Sequence, residues 1–410
     1  MEFHNLTPFD ALAYSAVNAH DEEQHVVAIK VAWRLTPGRG GGVTHACEFL
    51  FDDEAASLAL ADVYEGALNA SSVRAESDIA PFKPRCDVLV RATAWAPGGR
   101  HATRWPVRLR VTAPDVPPVG SDDDAPRGVL VDKALEVCGP RWFERALGGW
   151  TLTDSGPTDR VPIRWERAFG GRSTVADPND PAKPLLDEVC FTNPLGRAWI
   201  EARHEATLQR AGLAMPERLD APQVEYPDAR VTHVVIAQHP PHAVEAPKMA
   251  ELAKGYVFKP AGLGCVGRPW TPRLQRAGTY DDAWLAERHP FLPDDFSFSY
   301  WNAAPDDQQI AHPGLGLRVE LTNLCEAVRD DGGVMCFELP PHRAFVMAWM
   351  AGLPVPVPAV IDTLTVDAEA MVVTCVWRAL LSRALGVTKL EARYETDPRA
   401  PLLKLEVAGG

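Results

Sequence analysis

Apolar residues along this chain fall in short, β-branched runs bounded by Gly, Pro or acidic clusters, the pattern of strands rather than of long helices. Residues 25–35 (HVVAIKVAWRL) run into Pro37-Gly38-Arg39-Gly40-Gly41-Gly42 and then a second apolar run over 43–51, which predicts a hairpin. Further strands are expected over 87–96, 107–111, 133–137, 231–237, 316–324, 334–339, 345–350, 363–366, 371–377 and 390–395. Bulky and polar residues alternate over 161–169 and stop at Gly170-Gly171, predicting a strand with a turn behind it. The clearest helical spacing lies over 197–212, with Trp199, Ile200, Ala206, Leu208 and Leu213 in phase and Gly212 as the stop.

A Pro- and charge-rich stretch over 215–228 follows that helix. The expected fold is therefore mainly β with a few short helices, in two β-rich, sandwich-like halves joined by Pro-rich ordered loops. These are residues 1–214, ending in the helix, and 215–410, with a single continuous domain as the alternative. The 37 prolines among 410 residues favour short elements and ordered loops. A hydrophobic content of 46% is enough for an ordinary globular core.

Charge and cysteine usage narrow the function. A net charge of −14 opposes binding to a phosphate backbone, and no Lys/Arg block with interleaved aromatics offsets it. The eight cysteines are widely separated and form no Cys-x-x-Cys pair, so they read as small buried hydrophobes. The first residues, MEFHNLTPFDALAYS, lack the basic and apolar regions of a secretory signal, and no apolar stretch approaches the length of a membrane helix. A soluble protein of a reducing cytoplasm is expected.

Candidate chemistry is sparse. Gly262, Gly264 and Gly267 have dinucleotide-loop spacing, but Pro269 and Pro272 follow where a helix would have to begin. His239-Pro240-Pro241-His242 lacks a clear third metal ligand, and His20-Asp21-Glu22-Glu23 reads as a solvated turn. No G-x-S-x-G, H-E-x-x-H or P-loop motif occurs. Glu166 and Asp281 lie beside aromatic motifs, where a raised pKa would suit a general acid; structural ion pairing with Arg164, Arg167 or Arg276 is the stronger reading. No catalytic residue, cofactor or metal is assigned.

Residues 262–309 stand apart. Trp270, Tyr280, Trp284, Phe291, Phe296, Tyr300 and Trp301 crowd into one irregular, Pro-rich segment. Such aromatic mass either locks loops onto a core or presents a recognition surface.

Ordered phrases across the chain resemble the domain of unknown function 2169 family. They begin with Asn5, Thr7-Pro8-Phe9 and the run 27–33 containing Lys30, then Cys86-Asp87-Val88-Leu89-Val90 and Ala94-Trp95-Ala96-Pro97. Trp165-Glu166-Arg167-Ala168-Phe169-Gly170-Gly171 and Asn193-Pro194 with Gly196 follow. The most distinctive piece is Trp270, Pro272-Arg273, Gly278-Thr279-Tyr280-Asp281 and Trp284, with Leu292-Pro293, Asp295-Phe296, Ala303-Ala304-Pro305 and Gln308-Gln309. Asp362-Thr363-Leu364 and Trp377-Arg378 close the series.

The resemblance implies a cytoplasmic accessory protein of Gram-negative type VI secretion. Its role would be to bind a toxic effector and load it onto a spike of VgrG-type trimer and PAAR-type tip, without turnover, nucleic acid or membrane. Some relatives continue into pentapeptide repeats and this chain stops at Gly410, which implies a stand-alone adaptor. An adaptor needs an aromatic patch, a polar rim and a free strand edge. The residues singled out for partner binding are Trp165, Arg167, Phe169, Trp270, Arg273, Tyr280, Asp281, Trp284, Phe291, Asp295, Phe296, Tyr300 and Trp301. An enzyme or toxin with a carboxylate site, and a structural component of the secretion machine, are the alternatives.

Overall fold

The computed structural model describes residues 1–40, 43–66, 71–113, 128–147, 149–168, 172–175, 177–180, 182–189, 208–214, 218–232, 261–269 and 271–403. They are mostly β, arranged in several separate sheets. The helices whose limits lie within the described residues are Thr271–Leu274 and Asp282–Glu287. Among the described residues no helix is long and apolar enough to cross a membrane.

The largest sheet has seven strands. Its order is Gln309–Ile310, Cys86–Arg91, Val360–Asp367, Val372–Ser382, Glu23–Gly40 and Asp10–Val17, with Val43–Leu50 also paired to Glu23–Gly40. The strand Glu23–Gly40 is long enough to take two neighbours in line on one side, Asp10–Val17 and then Val43–Leu50. A five-stranded sheet runs Val224–Glu225, Val129–Cys138, Arg104–Thr112, Arg318–Thr322 and Val334–Glu338. A four-stranded sheet runs Glu2–Asn5, Val387–Glu395, Arg343–Met350 and Leu353–Pro358. Each of these three sheets draws strands from both sides of residue 214, so the chain passes between 1–214 and 215–410 within single sheets.

One face of the seven-stranded sheet is apolar. Val27, Ile29, Val31 and Trp33 share a single core cluster with Val107, Leu109, Leu135 and Leu321 of the five-stranded sheet and Val346, Leu390 and Ala392 of the four-stranded one. Alternation explains this: every second residue of each strand is apolar and inward-facing, and burying those rows together removes a large apolar area from water.

The opposite face carries charge. At one register Asp87, Thr363, Val376, Lys30 and Asp10 lie side by side across five strands. Each polar member of that row fastens a loop. The Asp10 carboxylate accepts from the Leu58 N–H at 2.8 Å, and the Lys30 ammonium pairs with Asp78 at 2.9 Å. Arg378 pairs with Asp362, bonds the Tyr14 hydroxyl and donates to the Asp78 carbonyl. Lys83 donates to both Asp87 and Thr363 at 2.8 Å. Leu58, Asp78 and Lys83 are thereby held against the sheet.

Most expected strands occur where the pattern placed them; two regions differ. Residues 161–168 do not form one strand: the strand is Arg160–Pro162, and Trp165–Arg167 is a 3-10 turn. The ladder ends at Pro162, paired with Thr93, and the buried Trp165 ring packs on residues 262–265. Conversely Leu353–Pro358, with proline at 354, 356 and 358, is a strand. It lies at a sheet edge, where N–H groups on the outer side are dispensable. Of the expected helix, 208–210 are helical and Gly212 has a φ of +69°, while 197–207 lie outside the described residues. The strand over 231–237 falls outside them beyond residue 232.

Two outcomes follow. Asp87→Ala would strand the Lys83 ammonium in the interior, so urea unfolding should show a loss of about 3–5 kcal/mol, whereas an exposed control such as Glu395→Ala stays within about 0.5 kcal/mol. The second concerns pH. Desolvation holds His25, His45 and His342 below the ordinary imidazole range, with Arg383 adding to the effect at His25. The unfolded chain takes up protons below about pH 6.5 while the folded one resists, so this stability is complete above that pH and is lost as pH falls. The unfolding free energy should be lower at about pH 5.5 than at about pH 7.5, and the drop should be smaller in His342→Phe.

Candidate functional site

The aromatic segment has two tiers, a buried base and an exposed tip. The base begins at the Trp165–Arg167 turn. The Trp165 indole N–H donates to the Cys265 carbonyl at 2.6 Å, and its ring lies so close to Gly262 that a Cβ there would sit 2.6 Å from ring atoms. The glycine spacing at 262, 264 and 267 thus has a packing role at its first position. Glu166 accepts from both the backbone N–H and the hydroxyl of Ser72, each at 2.5 Å. Arg167 turns toward the Gln223 side chain.

Arg273 is the main fastener. It is buried, with Nε donating to the Tyr300 carbonyl at 2.6 Å, Nη1 to the Val266 carbonyl at 2.9 Å and Nη2 to Glu76 at 2.6 Å. The planar fork of a guanidinium suits this triple duty as no lysine would. Asp87 receives the other end of the segment, accepting from the Asn302 side chain at 3.0 Å and from the N–H groups of Ala303 at 2.9 Å and Ala304 at 3.1 Å. Gln308 donates to the carbonyls of Val88 at 2.7 Å and Leu263 at 2.9 Å, and accepts from Lys133 at 2.8 Å. Burial pulls the Lys133 ammonium down to about 8, although Asp307 lies 2.8 Å away.

Between residues 278 and 296 the chain leaves this base. Gly278 has a φ of +79°, and the Thr279 N–H and hydroxyl both bond Asp295, at 2.8 and 2.7 Å. Those two donors hold the Asp295 carboxyl below its usual range. Asp281 caps the helix Asp282–Glu287 by accepting from the Trp284 N–H at 2.9 Å. The Trp284 indole N–H donates to the Phe291 carbonyl at 2.9 Å, and its ring meets Tyr280 edge-on at 4.8 Å. Arg288 ties this tip to the turn before Glu23 by pairing with Asp21 at 2.8 Å, and pairs with Asp294 at 2.9 Å.

These caps and pairs shape the tip without hiding its apolar side chains. Tyr280 is 53% exposed, Leu285 60% and Phe291 43%. Phe296, Tyr300 and Trp301 form a half-buried edge-to-face series between tip and base. A groove of about 340 Å³ lies beside the tip, lined among others by Tyr14, Ala16, Val17, Phe291, Leu292 and Trp301.

The singled-out residues therefore separate by role. Trp165 and Arg273 belong to the base, Tyr280, Asp281, Trp284, Phe291 and Asp295 to the tip, and Phe169 and Trp270 lie outside the described residues. So do His239 and His242; among the described residues no group of three or more His, Cys, Asp or Glu side chains is placed to hold a metal ion. Glu166 and Asp281, the two candidate acids, are engaged with a backbone N–H each. Residue reading missed Lys83 and Asn302 as fasteners and the strand Asp10–Val17 as a wall of the groove. A charged residue inside the apolar run Cys86–Arg91 was the available signal for the Asp87 network.

A Cβ at residue 278 would approach Asp295 Oδ1 to 2.8 Å and Pro293 Cβ to 3.0 Å. Gly278→Ala should loosen the tip locally by about 1 kcal/mol or more, read as faster trypsin cleavage after Arg276 and Arg288 with global unfolding nearly unchanged.

Searches of curated proteins and of solved structures each found no match to this chain. A family described as "uncharacterized protein conserved in bacteria (DUF2169)" matches residues 20–378, a span that holds the hairpin, Asp87, the base and tip, and Arg378. The chain belongs to this bacterial family, DUF2169.

Proposed function

We propose that this protein is a cytoplasmic adaptor that binds a type VI secretion effector in a Gram-negative bacterium. It then helps load that effector onto the VgrG-type spike or its PAAR-type tip, without catalysing a reaction. The observation that carries this reading is the exposed tip, Tyr280, Leu285 and Phe291, raised on a base fixed by Arg273 and Asp87. Exposed aromatic and aliphatic side chains on a rigid support are what a protein partner needs for hot-spot contacts, because little ordering entropy is lost on binding.

Two further observations support binding over turnover. Glu166 and Asp281 each spend their carboxylate on the backbone of this chain, and Glu166 also takes the Ser72 hydroxyl. The net charge of −14 favours a basic protein partner over nucleic acid. The cytoplasmic setting follows from the role, since an effector has to be loaded before it leaves the cell.

Tagged protein recovered from a host with an active secretion system should carry one toxin-like protein together with a VgrG- or PAAR-type component, identified by mass spectrometry. Tyr280→Ala combined with Phe291→Ala should lower that recovery by about tenfold or more, equivalent to at least about 1.4 kcal/mol. Both side chains are exposed, so thermal unfolding should barely change. Recovery of no such partner would overturn the adaptor reading, and constant stoichiometry in assembled secretion particles would point to a structural component instead.

A further inference from the structure

The strand Asp10–Val17 closes the seven-stranded sheet, and its outer edge has no backbone partner among the described residues. Eight residues, DALAYSAV, present this edge, and only Asp10 is charged. Exposed edges of that length are normally blunted by proline, lysine or a bulge, since they template the addition of another strand. The same molecule shows such blunting elsewhere: Leu353–Pro358 at the edge of the four-stranded sheet has proline at every second position. Asp10–Val17 pairs in continuous register from Asp10↔Lys30 to Val17↔Glu23, without a bulge. Among the described residues it is an open, regular edge about 27 Å long.

Its surroundings define what would pair there. The groove of about 340 Å³ runs between this strand and the tip, with Tyr14, Val17, Phe291 and Leu292 among its walls. It accepts one apolar side chain projecting from an added strand. Acids flank it on both sides: Asp21, Glu22 and Glu23 in the turn that follows the strand, and the exposed Asp281, Asp282, Glu287, Asp294 and Asp295 on the tip. Histidines aside, Arg288 is the one cation in residues 18–23 and 278–296, and Asp21 and Asp294 both hold it; from outside those stretches Arg383 pairs with Glu23, which leaves the acids in excess.

We propose that a basic, extended segment of the bound partner adds to Asp10–Val17 as a further strand. One of its apolar side chains enters the groove beside Phe291, and its Lys or Arg side chains face the acidic rim. The main-chain bonds supply affinity and the groove and rim supply selectivity. This rests on the adaptor reading for the identity of the partner, though not for the chemistry of the edge.

The test uses the full chain and a labelled synthetic peptide of about ten residues, alternating Val or Thr with Lys and carrying one central Phe. Fluorescence anisotropy should show saturable binding that weakens as salt rises, and binding at least about tenfold weaker for the same peptide with Glu in place of Lys. Hydrogen exchange should show new protection of backbone amides within 10–17 when the Lys peptide is bound. Ala16→Lys and, separately, Phe291→Ala should each weaken binding several-fold; the second alters an exposed side chain and leaves folding intact. Absence of binding, equal binding of the Glu peptide, or protection confined to 278–296 would each overturn the proposal. If the effector complex forms in cells but 10–17 exchange as in the free protein, strand addition fails and the adaptor reading stands. If the peptide protects 10–17 but no effector is recovered, the adaptor reading fails and the strand-addition site stands.

Discussion

A buried carboxylate, Asp87, joins three separate parts of this chain. It sits within the strand Cys86–Arg91, buried from Cys86 to Val90, where an unpaired charge would cost several kcal/mol. The Lys83 ammonium, the Asn302 amide and the N–H groups of Ala303 and Ala304 supply the compensation. All four donors can be met in only one arrangement of these segments. The loop before the strand and the segment more than 200 residues later are therefore fixed in one register. The same network carries Gln308 into contact with Val88 and Leu263, and so sets the platform on which the aromatic tip stands.

That arrangement explains why one aromatic-rich segment serves two ends. Where a buried donor or acceptor is available, as at Trp165 with Cys265, the ring goes inward and stabilises the scaffold. Between 278 and 296 the polar groups are instead satisfied locally, by Asp281 on the Trp284 N–H and by Asp295 on Thr279. The tip thus keeps a defined shape without withdrawing Tyr280, Leu285 and Phe291 from solvent. Little has to be ordered when a partner arrives, which favours tight binding by a small number of side chains.

The two faces of the seven-stranded sheet divide the work in a related way. The apolar face commits it to the five- and four-stranded sheets through one core. The charged face, with the Lys30–Asp78 and Arg378–Asp362 pairs largely withdrawn from solvent, adds geometric definition more than raw stability, because desolvation offsets much of the Coulomb gain. Among the described residues the edge at Asp10–Val17 stays open beside the tip.

The sequence by itself determined the strand content and much of its placement. The hairpin around Gly40 and the strands near 87, 107, 133, 345, 363, 372 and 390 all show in period-two or continuous apolar runs, because burial of alternate side chains is a local property of the chain. The crowding of Trp, Tyr and Phe over 262–309 was legible for the same reason. Only the tertiary structure decided which of those residues face inward. The fates of Trp165 and Tyr280 depend on partners about 100 residues away in one case and 4 residues away in the other, which composition does not distinguish. The Pro-rich strand Leu353–Pro358 was not anticipated and the strand over 161–169 was expected too long, because proline is tolerated or disruptive according to sheet position. Pairing order, the buried Asp87 network and the open edge at Asp10–Val17 are likewise non-local: each exists only once distant strands have met.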